Sequence, residues 1–164
     1  MRELKPLSRD TVDAALAKAE RYRFLNEPGE AESICLDVLA VDAHNQSALI
    51  TLLLALTDQF GTTSDAHQRA REVLAGLDSE YDKAYYAGII AERRAKAQLA
   101  HGGAGSSVGA HDWLVEAMKH FERAEWLRQQ SDPRLAALLR SEQGSAGVRL
   151  AELGVAALLI NCNG

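Results

Sequence analysis

Four side chains at helical spacing could bind a metal ion. Asp112, Glu116 and His120 follow one another at intervals of four residues, and His111 lies beside the first of them. Residues four apart share one face of a helix, and carboxylate and imidazole groups are common metal ligands. The H-E-x-x-H pattern of zinc enzymes is absent, however, and no cysteine is near. We therefore interpret these residues as a solvated helix face with a Glu–His pair, and we predict no metal site.

A glycine-rich stretch ahead of a helix could cradle a phosphate group. It runs from Gly102 to Gly109 and leads into a helical pattern that includes Trp113. Backbone amides at a helix N-terminus attract anions. This stretch follows a helix rather than a strand, and no Lys precedes a Ser or Thr, so neither nucleotide-binding fingerprint is met. Gly and Ser tracts of this kind are typical of flexible connectors, which is the role that we predict.

A small basic cluster consists of Arg93, Arg94 and Lys96. Glu92 lies four residues before Lys96 and can pair with it on a helix surface. The simplest interpretation is a charged, solvated helix face. The functional alternative is an anchor for an acidic peptide, because Arg is enriched at binding hot spots.

No arrangement of residues predicts catalysis. Cys35 falls on an apolar helix face, which indicates a buried and inert thiol rather than a nucleophile. The Ser, His and Asp residues are scattered, with no nucleophile elbow or triad signature. Tyr81, Tyr85 and Tyr86 fall mostly at core positions, and an acidic chain lacks the positive field that base stacking requires. We expect no catalytic residue, no cofactor and no enzymatic activity.

The composition predicts one all-α domain. The chain has 164 residues, 47% of them hydrophobic, with three Pro and a formal charge of −5. The acidic balance disfavours a general nucleic-acid binder. We expect no membrane association, since no apolar run approaches the roughly 20 residues that a spanning helix needs. The charged N-terminus is unlike a secretory signal, and the two cysteines form no disulfide framework, so we expect a cytoplasmic location.

The helical pattern is organised around the apolar segment from Asn45 to Gln59. Asn45 is a good N-cap, Gly61 lies just beyond the last periodic residue, and the interior holds no Gly or Pro. A helix that is apolar nearly all round must be covered on more than one side. The other predicted helices run from Ser8 to about Asn26, from Pro28 to about Asp42, from Ser64 to Gly76, from Ser79 to Gly102, from Gly109 to about 130 and from Asp132 to Arg140.

Small residues recur at a fixed interval. Ala31 and Ala66 are 35 residues apart, and each is followed at spacings of four and seven by small or apolar residues. Ala117, Phe121 and Ala124 repeat that spacing. The last three resemble the A-x3-F-x2-A pattern in the second helix of a tetratricopeptide repeat, and Gly88 stands where that motif has its helix-contact glycine.

The resemblance to tetratricopeptide repeat proteins implies a right-handed α-solenoid of antiparallel helix pairs with an extra C-terminal helix. It predicts one repeat domain over residues 1–140, with repeats at about 12–45, 46–78 and 81–130 and a capping helix at 133–140. Residues 141–164 form a break followed by an apolar tail, Val148 to Ile160. The tail could pack on the last repeat, pair with another copy to form a homo-oligomer, or stay loose.

The same resemblance implies that the first helix of each pair lines a concave groove. The Lys and Asn set with which some relatives clamp a C-terminal carboxylate is missing here, because Leu16 and Glu20 occupy two of its places. The hypothesis is therefore a scaffold that docks a peptide or helix of a partner protein in an apolar groove with mixed charges at its edge. The alternative is a structural or self-associating subunit, or a small export chaperone. The predicted groove residues are Leu16, Glu20, Arg23, Ile50, Leu54, Asp58, Asp82, Tyr85, Ile89 and Arg93.

Overall fold

The computed structural model describes residues 9–102 and 106–131, with the side chains of Arg9 and Asp10 left out. These residues form helices and no strand, which confirms the all-α prediction. The helices are α1 (Arg9–Phe24), α2 (Pro28–Val41), α3 (Gln46–Thr57), α4 (Ala66–Ala75), α5 (Glu80–His101) and α6 (Ser106–Ser131). None of them, within the described ranges, is both long enough and apolar enough to cross a membrane.

Side-chain caps fix the start of two helices. The Asn45 side chain accepts a hydrogen bond from the Ala48 amide at 3.0 Å, and the Ser79 hydroxyl accepts one from the Asp82 amide at 3.1 Å. Each bond satisfies an amide that has no partner inside its own helix. At the other end of α5, Gly102 adopts a φ of 64°, a conformation that is easy only for glycine. These three predicted boundaries are confirmed.

The turn between α1 and α2 depends on Asn26, which has a φ of 60°. The Glu27 amide donates to the Tyr22 carbonyl at 2.9 Å, and the Asn26 amide donates to the Arg23 carbonyl at 3.0 Å. This pair of bonds is the Schellman arrangement, in which Asn replaces the usual Gly at the left-handed position. It ends α1 abruptly, and Pro28 then begins α2.

Two predicted boundaries were wrong. Asp65, not Ser64, precedes α4, and its side chain makes no capping bond. Helix α6 begins at Ser106, so Gly109 lies inside a helix rather than in the predicted connector. A side chain at Gly109 would collide with the amide of Gln98 on α5. Glycine has a low helix propensity, so the sequence did not indicate that α6 includes this position.

Helix α3 is the centre of the described structure, as predicted. It contacts α1, α2, α4 and α5. Leu53 is fully buried and Leu56 is 1% exposed. Two polar side chains of α3 are buried with them: the Thr51 hydroxyl donates to the Ser47 carbonyl, and the Thr57 hydroxyl to the Leu54 carbonyl. The helix therefore buries its polar groups without leaving them unpaired.

Small residues lie where helices meet. Ala31, Cys35 and Ala66 are fully buried, and so is Ala70. Gly88 faces Phe121 so closely that a Cβ atom would lie 2.6 Å from its ring carbon Cε1. Positions selected by their 35-residue spacing and by the Ala-Phe-Ala pattern are therefore contact positions between helices.

Each of α1 to α4 contacts the helix that follows it, and α3 additionally contacts α1 and α5. The odd-numbered helices α1, α3 and α5 thus contact one another in chain order. The chain divides into two units, residues 1–124 and 125–164. The predicted capping helix at 133–140 and the tail at 141–164 lie outside the described residues.

Candidate functional site

Three ionic side chains from α1, α3 and α5 meet at one point. The Arg23 Nε atom donates to Asp58 Oδ2 at 2.9 Å, and Arg93 Nη1 lies 3.3 Å from Asp58 Oδ1. All three residues belong to the predicted groove set. We call the side on which they meet the odd-helix face.

Helix ends bring these residues together. Arg23 lies in the last turn of α1, and Asp58 caps the end of α3, with its amide bonded to the Leu54 carbonyl at 3.1 Å. One carboxylate here faces two guanidinium groups, so the cluster keeps a net positive charge. The Arg23 and Asp58 side chains are 17% and 19% exposed, whereas that of Arg93 is 42% exposed. Arg93 is therefore the member of the cluster that a binding partner can reach most easily.

A cleft of about 600 Å³ opens beside this cluster. We call it the basic cleft, because Arg23, Arg93 and Lys96 outnumber its single acidic residue, Asp58. Its remaining lining is largely apolar or neutral: Phe24, Asn26, Thr57, Phe60, Gly61, Ala97 and Ala100. Its size falls within the range of ligand-binding pockets.

The two phenylalanines of the basic cleft differ in exposure. Phe60 is 6% exposed and is anchored in the core. Phe24, at the end of α1, is 87% exposed. Burial of such a ring by a partner would remove a large apolar area from water. Lys96 forms an ion pair with Glu92 one turn earlier, as the sequence predicted, and its side chain remains 62% exposed.

The positive surface continues along α5. A second cleft of about 540 Å³ shares Phe60 and Ala97 with the basic cleft. Arg94 and His101 line it. The C-terminal half of α5 therefore presents Arg94 to this cleft, and Arg93 and Lys96 to the basic cleft.

Several predicted groove residues lie elsewhere or are partly covered. Leu16 is 8% exposed and belongs to the core, so it does not line the odd-helix face. Leu54 packs against the same core and is half-buried, as are Ile50 and Ile89. Glu20 is exposed one turn before Arg23.

Tyr85 belongs to an aromatic group at the start of α5. Its ring stacks on Tyr81 with centroids 6.0 Å apart and lies 5.2 Å from Tyr86 and 5.8 Å from Phe121. Tyr85 is 37% exposed. Asp82, another predicted groove residue, lies nearby in the sequence and is half-buried. Burial and then the charge of Asp82 raise the pKa of Tyr86. The aromatic group is thus an exposed surface toward the other end of α5 from the basic cleft.

A further cleft, of about 510 Å³, lies between α4, α5 and α6. His67 and Trp113 line it with their rings 5.4 Å apart, edge to face. Burial, followed by the charges of Arg94 and Arg71, lowers the pKa of His67. Its Nε2 atom is buried without a hydrogen-bond partner in the described part of the chain.

The residues considered as metal ligands form separate pairs. His120 Nε2 lies 3.4 Å from Glu116 Oε1, and His111 Nδ1 lies 3.6 Å from Asp112 Oδ1. Within residues 9–102 and 106–131, no three His, Cys, Asp or Glu side chains are placed to hold a metal ion. The i, i+4 Glu–His pair is the arrangement that the sequence predicted.

Cys35 is fully buried. Burial raises the pKa of its thiol to about 11, with Arg23 opposing the shift and Glu20 and Glu32 adding to it. A thiol with this pKa is almost entirely protonated at neutral pH and is a poor nucleophile. The prediction that this thiol is buried is confirmed.

The sequence pattern did not indicate Phe24 and Phe60 as walls of the basic cleft. Both lie at or beyond the end of a helix, where periodicity no longer indicates a face. One signal was available: Phe24 is an apolar residue off the buried stripe of α1 formed by Leu16 and Ala19.

Comparison of the chain with models of known protein families, with curated proteins and with solved structures found no match.

Proposed function

We propose that this chain is a non-catalytic protein–protein interaction module, a right-handed helical solenoid of the tetratricopeptide type that docks a peptide or helix of a partner on its odd-helix face. The observation that carries the proposal is the meeting of Arg23, Asp58 and Arg93. Asp58 follows Arg23 by 35 residues, and Arg93 follows Asp58 by the same interval. Side chains one period apart meet when equivalent helices stack side by side.

Exposure and chemistry support a binding role for this face. Phe24 is 87% exposed, and Arg93 keeps part of its guanidinium accessible. Exposed aromatic and Arg side chains beside a cleft are the residue types that dominate binding energy at interfaces. The buried Cys35, the Glu116–His120 pair and the His111–Asp112 pair offer no comparable basis for catalysis.

Site-specific photo-crosslinking tests this proposal. Benzoylphenylalanine is introduced at Glu20, an exposed residue of α1 in the predicted groove set, and in a matched variant at Asp37, an exposed acidic position on α2. Both variants are irradiated in extract of the native cell, and adducts are identified by mass spectrometry. We expect a partner adduct at position 20 and none at 37. Adducts at 37 alone, or equal adducts at both positions, would contradict docking on the odd-helix face.

A further inference from the structure

Charge and shape restrict what the basic cleft can accept. Three positive side chains line the cleft: Arg23, Arg93 and Lys96. The negative groups are the Asp58 carboxylate and that of Glu92, which pairs with Lys96. The local balance is positive although the whole chain carries −5. A basic segment would bring like charges together here, whereas an acidic segment would complement the cleft.

The apolar part of the cleft adds a second requirement. Phe24 extends from the end of α1, and Phe60 and Ala97 form a wall that is also part of the neighbouring cleft. An aromatic side chain placed there would pack against Phe24 and cover a ring that is now 87% exposed. Burial of one large side chain among such groups is typical of an interface anchor.

We propose that the basic cleft selects an acidic peptide segment that carries an aromatic side chain between its carboxylates. The carboxylates engage Arg93 and Lys96, and the aromatic ring packs between Phe24 and Phe60. This inference rests on the proposed function and specifies the chemistry of the partner.

Arg93 and Lys96 have different roles in binding the acidic segment. Arg93 is partly committed to Asp58, so a ligand carboxylate would add to a guanidinium already held in place, which reduces the entropy lost on binding. Lys96 is more exposed, and Glu92 can release it, since exposed helical ion pairs contribute little stability. The first residue therefore supplies orientation and the second supplies additional charge.

Matched synthetic peptides test this selection. They share one Ser/Gly scaffold and differ only in the core: Asp-Asp-Phe-Asp, Asn-Asn-Phe-Asn, Lys-Lys-Phe-Lys and Asp-Asp-Ala-Asp. Dissociation constants are measured by fluorescence anisotropy with the full chain. We expect the first peptide to bind at least about tenfold more tightly than the Asn peptide, as one charge-assisted hydrogen bond can provide. We expect the Lys peptide to bind most weakly.

Substitutions locate the effect. Arg93→Gln and Lys96→Gln should each weaken the Asp-Asp-Phe-Asp peptide about three- to tenfold and leave the Asn peptide unchanged. Lys83→Gln removes the same charge elsewhere on α5 and should change neither. Lys96 does not contact Asp58, so its variant remains informative if Arg93→Gln disturbs folding. Phe24→Ala should remove the preference for Phe over Ala in the core, whereas Leu36→Ala, at an exposed site on α2, should retain it.

Two failures are distinguishable. If acidic and Asn peptides bind the odd-helix face equally, as mapped with benzoylphenylalanine in place of the peptide Phe, the inference is wrong and the proposed function stands. If no peptide of any charge crosslinks to that face, the inference is overturned, and the adducts at position 20 in cell extract decide whether the proposed function stands. A loss for Lys83→Gln equal to that for Lys96→Gln would also overturn the inference, since the effect would then be one of overall charge.

Discussion

Asp58 holds two guanidinium groups with one carboxylate, and its removal leaves Arg23 and Arg93 facing each other unpaired. We expect Asp58→Asn to lower the free energy of unfolding by about 1–3 kcal/mol, the range for loss of a hydrogen bond to a charged group. Urea denaturation measures the change. Asp37→Asn, on the exposed surface of α2, is the control and should cost less than about 0.5 kcal/mol. Equal values for the two variants would show that the cluster contributes no stability.

Glu32 on α2 bonds to Arg69 on α4, and it accepts a second hydrogen bond from Gln59 at 2.7 Å. Burial alone would raise the pKa of this carboxyl, but the hydrogen bonds from Arg69 and Gln59 and the Arg69 charge outweigh it and hold the pKa below its usual 4.5. A carboxyl with a lowered folded-state pKa stabilises the fold above its unfolded-state pKa. That contribution is lost as pH falls through the folded-state pKa.

The difference in the free energy of unfolding between the wild type and Glu32→Gln should therefore be constant above about pH 5.5, roughly one unit over the unfolded-state pKa. This difference should shrink as the pH drops below 4.5. Unfolding curves recorded across this range at constant ionic strength provide the measurement. A difference that persisted unchanged into strong acid would mean that the Glu32 charge is not the stabilising feature.

The sequence predicted individual site residues unevenly. Arg23, Asp58 and Arg93 were selected from the repeat register, and the structure brings them together. Leu16 was selected by the same register but is buried. Successive residues of a helix differ in direction by about 100°, so spacing locates a face only to within about one residue. Packing between helices decides whether a residue at the edge of that face is covered. Phe24 is the last residue of α1, so no further helical turn follows it to continue the spacing pattern.

At the scale of elements, the Phe121 ring of α6 lies directly against Gly88 of α5. We expect Gly88→Ala to lower the free energy of unfolding by about 1–3 kcal/mol, because the added methyl group must displace Phe121 or separate the helices. Gly29→Ala is the matched control, since nothing lies within 4 Å of the added atom. There we expect no loss, or a gain of up to about 1 kcal/mol. Thermal denaturation of both variants tests the contrast, and equal losses would contradict it.

Helix boundaries were predictable where the signal is local. Asn45, Ser79 and Gly102 act through hydrogen bonds or dihedral angles within a few residues, so the sequence alone indicates them. The start of α6 was not predictable in this way, because Gly109 disfavours a helix by its local propensity and yet lies inside α6. The sequence alone does not distinguish a glycine that permits close packing from a glycine that ends a helix.

At the scale of the whole molecule, the position of α3 among four other helices determines how the fold responds to a defect. We expect Leu53→Ala to lower the free energy of unfolding by about 2–5 kcal/mol, from lost burial and the cavity that remains. Unfolding should stay cooperative, and hydrogen exchange of α1 and α5 amides should accelerate with that of α3, since both helices contact it.

Leu36→Ala is the control for this substitution, because Leu36 is 46% exposed. It should cost less than about 0.5 kcal/mol. Acceleration of exchange confined to α3 in Leu53→Ala would show that the helices unfold independently of one another.

The interval of 35 residues from Arg23 to Asp58, repeated from Asp58 to Arg93, makes the charge at this position alternate in sign along the odd-numbered helices. In the proposed solenoid, a tandem duplication of the segment that carries Asp58 would set two carboxylates side by side, and its deletion would set Arg23 against Arg93. Either change preserves every helical pattern yet brings like charges together. The alternation would therefore oppose the gain or loss of one such segment.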